Sequence, residues 1–140
     1  MVAAVVRTED LPAVDRFAPA GGRDQRLLAG VQAFIDAHLR DEQLTPRVVA
    51  AANHISVRYL HQIFQRQGNS VAAWIRTRRL DRCRCDLEDP ALDGRPVYAV
   101  GARWGLAPAS DFNRSFRAAY GVPPGEWRRA AQRGRSCTER

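Results

Sequence analysis

The sequence contains no lysine: all 22 basic residues are arginine, set against 15 acidic ones in 140 residues. It also lacks any apolar run of the ~18 residues a membrane-spanning helix requires, so no membrane span is expected. Its 3 cysteines, Cys83, Cys85 and Cys137, are an odd set with no C-x-x-C spacing and no adjacent histidine. That pattern argues against a disulfide framework and a zinc site, and reduced thiols in the cytoplasm are expected. His38, His54 and His61 lack metal spacing, no nucleophile sits in a recognisable elbow, and no glycine-rich loop could cradle a phosphate. Neither catalysis nor a cofactor is therefore expected. The opening Met1 to Val6 lacks the apolar core of a secretory signal.

What is present is positive charge on an apolar framework. The formal charge is +7 and 45% of residues are hydrophobic, enough for one helical core at this length. Arginine suits phosphate because its planar guanidinium presents a rigid fork of donors. An all-arginine set also follows from a GC-rich coding sequence, but the consequence for anion binding is the same.

Residues 1–23 have a loop-like composition, with Pro12 and the stretch Pro19-Ala20-Gly21-Gly22, and are expected to be flexible, as are residues 134–140. Between them the punctuation predicts seven amphipathic helices and an all-α fold. Asp24 is expected to cap a first helix reaching about Arg40, with Leu27, Leu28, Val31, Phe34, Ile35 and Leu39 at helical spacing. Thr45-Pro46 opens a short second helix with Val48 to Ala52. Ser56 caps a third, with Val57, Leu60, Ile63 and Phe64 inward, ending at Gly68. Ser70 caps a fourth from Val71 to about Glu88, stopped by Asp89-Pro90. Pro96 opens a fifth ending at Gly105. Pro108 opens a sixth, with Phe112, Phe116 and Ala119 inward and Gly121 as terminator, and Pro123-Pro124 opens a seventh holding Trp127.

A shift of 52 residues lays the third helix on the sixth, Leu60 over Phe112 and Phe64 over Phe116. Upstream, Val48 and Ala50 fall on Val100 and Ala102; downstream, with one inserted residue, Trp74 falls on Trp127, followed by Arg76 and Arg128 respectively. Two copies of one helix-turn-helix arrangement are predicted. With Leu60 inward and ~100° per residue, Arg58, His61, Gln62 and Gln65 point outward. From Phe112, Ser110, Asn113, Arg114 and Arg117 do so. Arginine can bond bidentately to guanine and glutamine to adenine, so these faces suit reading of base edges.

The fourth helix would span on the order of 28 Å at ~1.5 Å rise per residue, close to the ~34 Å between successive major grooves on one face of a duplex. Within nine of its residues, 76–84, it carries Arg76, Arg78, Arg79, Arg82 and Arg84 against the single acid Asp81, a set suited to phosphate contact.

The runs Ser56-Val-Arg-Tyr-Leu-His-Gln-Ile-Phe64, Trp74-Ile-Arg-Thr-Arg-Arg-Leu80, Ala102-Arg-Trp-Gly105, Asp111-Phe-Asn-Arg-Ser-Phe-Arg117 and Ala118-Ala-Tyr-Gly-Val-Pro-Pro-Gly-Glu-Trp-Arg128 resemble the AraC/XylS family of bacterial regulators over about residues 24–133. The resemblance implies two homeodomain-like helix-turn-helix subdomains, residues 24–69 and 90–133, joined by a linker helix over 70–89. It implies binding of double-stranded promoter DNA as an activator or repressor; contact with RNA polymerase through an exposed surface is also expected, with this chain acting as a monomer. By position, base reading falls on Arg58, His61 and Gln62 and on Ser110, Asn113 and Arg114. Phosphate contact is expected from Ser56, Gln65, Arg76, Arg78, Arg79, Arg117 and Arg128. Leu80, Cys83 and Leu87 match small or apolar positions of the linker helix, which makes Cys83 a packing residue.

Two residues depart from the family pattern. Leu106 stands where relatives usually carry Phe, and Asp111 places an acid in a recognition helix, where it repels phosphate unless it meets cytosine N4 or pairs with Arg114 or Arg117. Most relatives also carry a long N-terminal sensor, and Arg7 to Phe17 resembles the start of one. A shortened descendant, an internally deleted product and a stand-alone regulator are all compatible with that. The competing reading is a truncated regulator or basic helical adaptor that works through protein contacts.

Overall fold

A computed structural model describes residues 20–138. Among these residues there are seven α-helices and no strand: α1 (Ala20–Ala37), α2 (Pro46–Ala52), α3 (Val57–Arg66), α4 (Val71–Glu88), α5 (Val97–Arg103), α6 (Ala109–Tyr120) and α7 (Pro124–Thr138), with a single 3-10 turn at Pro90–Leu92. The fold is all-α, of the homeodomain-like helix-turn-helix kind.

Local chemistry accounts for several of the helix starts. Thr45 Oγ1 accepts a hydrogen bond from Val48 N at 3.3 Å, with Pro46 next to it in the first turn. Ser56 Oγ accepts from Tyr59 N at 3.0 Å. Two boundaries differ from expectation. The first helix begins at Ala20, so Asp24 lies inside it and cannot be its cap, and residues 20–23 are helical; the helix ends at Ala37. At the other end α7 runs to Thr138, across most of the expected loose tail. Arg135 holds it there, donating to Glu88 O and to Asp93 Oδ2, each at 2.8 Å. The stretch Arg7 to Phe17 lies outside the described residues.

The described residues fall into two compact units, one within Met1–Ala37 and Leu44–Val71, the other within His38–Gln43 and Ala72–Arg140. In the first, α1 packs on α2 and α3, burying Val31, Ile35, Val49, Ala50, Leu60, Ile63 and Phe64. The core of the second is Leu80, Cys83 and Leu87 from α4, Val100 from α5, and Phe112 and Phe116 from α6, with Trp104, Leu106, Tyr120 and Trp127 against it. The helix expected as the linker also belongs to the second unit's core. Its apolar stripe is what closes that core. α1 and α4 are each 18 residues long, and the buried Val31 and Ile35 recur as Cys83 and Leu87. Two residues expected inward are not: Val57 is 37% exposed, and Ala119 is exposed while Tyr120 turns inward.

The internal repeat is real, but its register shifts at the turn. Asn53 and Trp104 close α2 and α5. Each is followed by a residue with positive φ, His54 (59°) and Gly105 (80°). The chain then returns through Ile55 N to Ala50 O at 3.0 Å and Leu106 N to Gly101 O at 2.9 Å. Val49 and Ala50 thus correspond to Val100 and Gly101, not Val48 and Ala50 to Val100 and Ala102. The second unit has one more residue between turn and helix, Ala107 and Pro108 standing where the first has Ser56 alone, and this restores the Leu60–Phe112 correspondence.

That correspondence explains a glycine. A Cβ on Gly101 would lie 2.5 Å from Cδ2 of the Phe112 ring. Its counterpart Ala50 is accommodated in a unit where the equivalent of Phe112 is the smaller Leu60. Small and large residues are exchanged together so that the helix pair keeps its packing.

Candidate nucleic-acid interface

α3 carries its buried residues Leu60, Ile63 and Phe64 on one side. The opposite side presents Arg58, Gln62 and Gln65 exposed and His61 half-buried. Two contacts pin the rotation of this helix: Tyr59 donates its hydroxyl to Asp24 Oδ1 at 2.7 Å, and Arg66 pairs with the other oxygen of the same carboxylate. Asp24 thus ties α1 to α3, a role invisible without the fold. Ser56 is exposed beside Arg58 and, since its Oγ already accepts from Tyr59 N, retains its O–H as a donor.

In α6, Phe112 and Phe116 are buried and Ser110, Asn113, Arg114 and Arg117 are exposed. An aromatic stack supports the inner face, with Phe116 centred 4.7 Å from Tyr120 and 5.9 Å from Trp127. Trp127 in turn donates Nε1–H to Glu88 Oε2 at 2.8 Å. Of the two pairings expected as alternatives for Asp111, the structure contains the one with Arg114. Asp111 and Arg114 also line a cleft of about 230 Å³ with Arg76, Gly105, Leu106, Ala107, Phe112 and Ser115. This brings an arginine of α4 beside the first turns of α6, where two guanidinium groups and a serine face one opening. Of the side chains expected to point outward on the two helices, all but the half-buried His61 are exposed.

The expected phosphate set divides. Gln65, Arg76 and Arg117 are exposed and Ser56 is available. Arg78 is 30% exposed in its side chain and lies 3.9 Å from Asp81. Arg79 is committed inward instead, contrary to expectation: Nε donates to Leu39 O at 3.0 Å and Nη2 to Asp41 O at 2.9 Å. Burial pushes its pKa below the usual arginine value, with Asp41 and Glu42 pulling the other way. A second expectation also falls, because Arg128 donates to Asp93 O at 3.1 Å and keeps Nε and Nη2 buried. Both arginines brace loops by donating to their backbone carbonyls. The wider cluster on α4 is reduced the same way. Arg84 bonds Asp81 and Glu88, the bond to Asp81 raising its pKa, and Arg82 lies over the Trp104 ring at 5.9 Å.

Cys83 is fully buried, and its thiol is pushed up to about 12 by burial first and by Asp86 second, as suits a packing residue. Cys85 is exposed. Among the described residues no group of three or more His, Cys, Asp or Glu could hold a metal ion, and no helix is long and apolar enough to cross a membrane.

A family model described as a helix-turn-helix domain matches residues 49–130, which takes in α3 to α6 and both turns. The chain belongs to the AraC/XylS family. It carries the AraC-type helix-turn-helix DNA-binding domain of these transcription regulators, a family of regulators and not of enzymes. It is 33% identical over 102 residues to the transcriptional activator NphR of a Rhodococcus species, covering 73% of this chain and 30% of that protein. It is 27% identical over 104 residues to the transcriptional activator RhrA of Rhizobium meliloti, covering 74% and 33%. The chain therefore spans about a third of the length of these relatives. Among solved structures, a transcriptional regulator from Chromobacterium violaceum with an AraC-type DNA-binding domain superposes with a TM-score of 0.71 at 22% identity, covering 81% of this chain and 96% of that one. The C-terminal domain of the response regulator AraT from Geobacillus stearothermophilus gives 0.66 at 24% identity, covering 74% and 84%.

Proposed function

We propose that this AraC/XylS chain is a sequence-specific regulator that binds double-stranded promoter DNA in the cytoplasm, inserting α3 and α6 into adjacent major grooves. The observation that carries the reading is the duplicated face: two helices in equivalent positions of two helix-turn-helix units, each buried on its apolar side and exposing arginine and amide side chains on the other. On this reading Arg58, His61 and Gln62 read one groove and Ser110, Asn113 and Arg114 the next. Ser56, Gln65, Arg76, Arg78 and Arg117 hold phosphates and set the register. The chain acts as a monomer, since one copy carries both reading helices, and an exposed surface contacts RNA polymerase; the relatives named as transcriptional activators support that last step.

The test is selection of bound sites from a random duplex pool, followed by gel shifts at increasing salt. A recurrent site with two clusters of preferred bases and a steep fall of affinity with salt is expected, because arginine–phosphate contacts release counterions. An adaptor working through protein contacts would select no site and show no such slope.

A further inference from the structure

Val57 is the first residue of α3 and leaves 37% of its surface exposed, although periodicity places it among the inward residues. Leu60, Ile63 and Phe64 are buried, with 0%, 2% and 1% of their surface exposed, and Val57 on the turn before them is not buried. Its neighbours on the exposed side are Arg58, next in sequence, and His61, one turn on. A branched apolar side chain thus stands partly open at the N-terminal end of α3, at the edge where the core side meets the polar face. Helix propensity does not call for it, since a β-branched residue loses rotamer freedom in a helix. In a duplex the major-groove edge of thymine is the only one of the four with an apolar group, its C5-methyl. The N-terminal residues of a recognition helix are those that meet base edges.

We infer that Val57 is a further specificity-determining residue, packing its isopropyl group against a thymine methyl beside the base pairs read by Arg58 and His61. The inference rests on α3 entering a major groove and adds to it a thymine preference that no polar side chain of the face supplies. The counterpart in the second unit is Ala109, whose single methyl reaches less far, so the preference belongs to the first half of the site.

The experiment uses the whole chain and a duplex chosen by it from a random pool, each thymine being replaced in turn by deoxyuridine. This removes one methyl and leaves base pairing intact. At one position in the half read by α3 the replacement is expected to weaken binding about fourfold, the worth of one buried methyl-sized group. In Val57→Ala the parent duplex should bind more weakly by a similar factor and the replacement should then cost nothing further, while Val57→Thr keeps part of the sensitivity. Far-ultraviolet dichroism checks that both variants are folded, and only folded protein is compared. A deoxyuridine penalty that is equal in wild type and Val57→Ala, or absent at every thymine, overturns the inference while leaving groove binding by α3 intact. Failure to select any site overturns both.

Discussion

Arg76 and Arg79 lie nearly one turn apart on α4 and meet different fates. Arg79 donates to two loop carbonyls, and its guanidinium carbon would lie 3.1 Å from a Cβ on Gly105. Arg76 opens onto the cleft at the start of α6. Arg79→Ala is expected to lower stability by about 1.5–3 kcal/mol, since it strands acceptors that were paired to a charged donor, and to leave the salt slope of duplex binding unchanged. Arg76→Ala should keep the urea midpoint and reduce that slope by about 0.9. Urea unfolding and salt-titrated gel shifts separate the two, and an exchange of these outcomes would show the assignment to be inverted. Base-reading arginines should behave differently again. Arg58→Ala and Arg114→Ala are each expected to cost about 1–3 kcal/mol at the selected site and to relax preference at one or two base pairs. Asp111 is best understood through its bond to Arg114: the acid sits in the first turn of α6, where the helix dipole favours it, and it limits where that guanidinium can point. Asp111→Ala should change affinity and base preference in the second half of the site only. If neither changes, Asp111 has no part in reading.

At the scale of elements, the α5–α6 pair is matched by volume. Gly101→Ala places a methyl inside the Phe112 ring's space and is expected to destabilise the second unit by about 1–3 kcal/mol, the usual cost of overpacking. Adding Phe112→Leu reproduces the Ala50–Leu60 pairing of the first unit and should recover part of the loss, which a thermal melt of the single and double variants would measure. If the double variant is no better than the sum of the singles, the two positions are not coupled as their contact implies. α4 shows what periodicity leaves open in an element. Its stripe of Leu80, Cys83 and Leu87 was legible, as was the commitment of Cys83 to packing. The partner of the stripe was not, because Val100, Phe112 and Phe116 come from later in the chain. Its raised thiol pKa stays protonated at pH 8, so iodoacetamide at that pH should modify Cys85 and spare Cys83 in the folded chain, as read by peptide mapping.

For the molecule as a whole, binding is proposed to be bivalent on one duplex. Two weak half-site contacts linked within one chain raise each other's effective concentration, and the gain vanishes when geometry forbids both at once. Inserting about 5 base pairs between the two preferred clusters turns one by half a helical turn. Affinity is expected to fall to that of a single half-site, with about half the salt slope. Unchanged affinity with the insert would refute simultaneous engagement and leave the reading of each half-site standing.

Sequence by itself determined what depends on neighbours along the chain. Helix number and most helix starts follow from the caps Thr45 and Ser56 and from the prolines. The exposed faces of α3 and α6 follow from the angular step of a helix, and the family resemblance from short contiguous runs. Tertiary structure decided what depends on residues far apart: that Asp24 holds Tyr59 and Arg66, that Arg79 and Arg128 donate to loop carbonyls, that α4 completes the second core, and that one extra residue shifts the repeat at its turn. An arginine has the same letter whether its donors are free or spent. Only the position of the acceptors, set by packing, distinguishes the two.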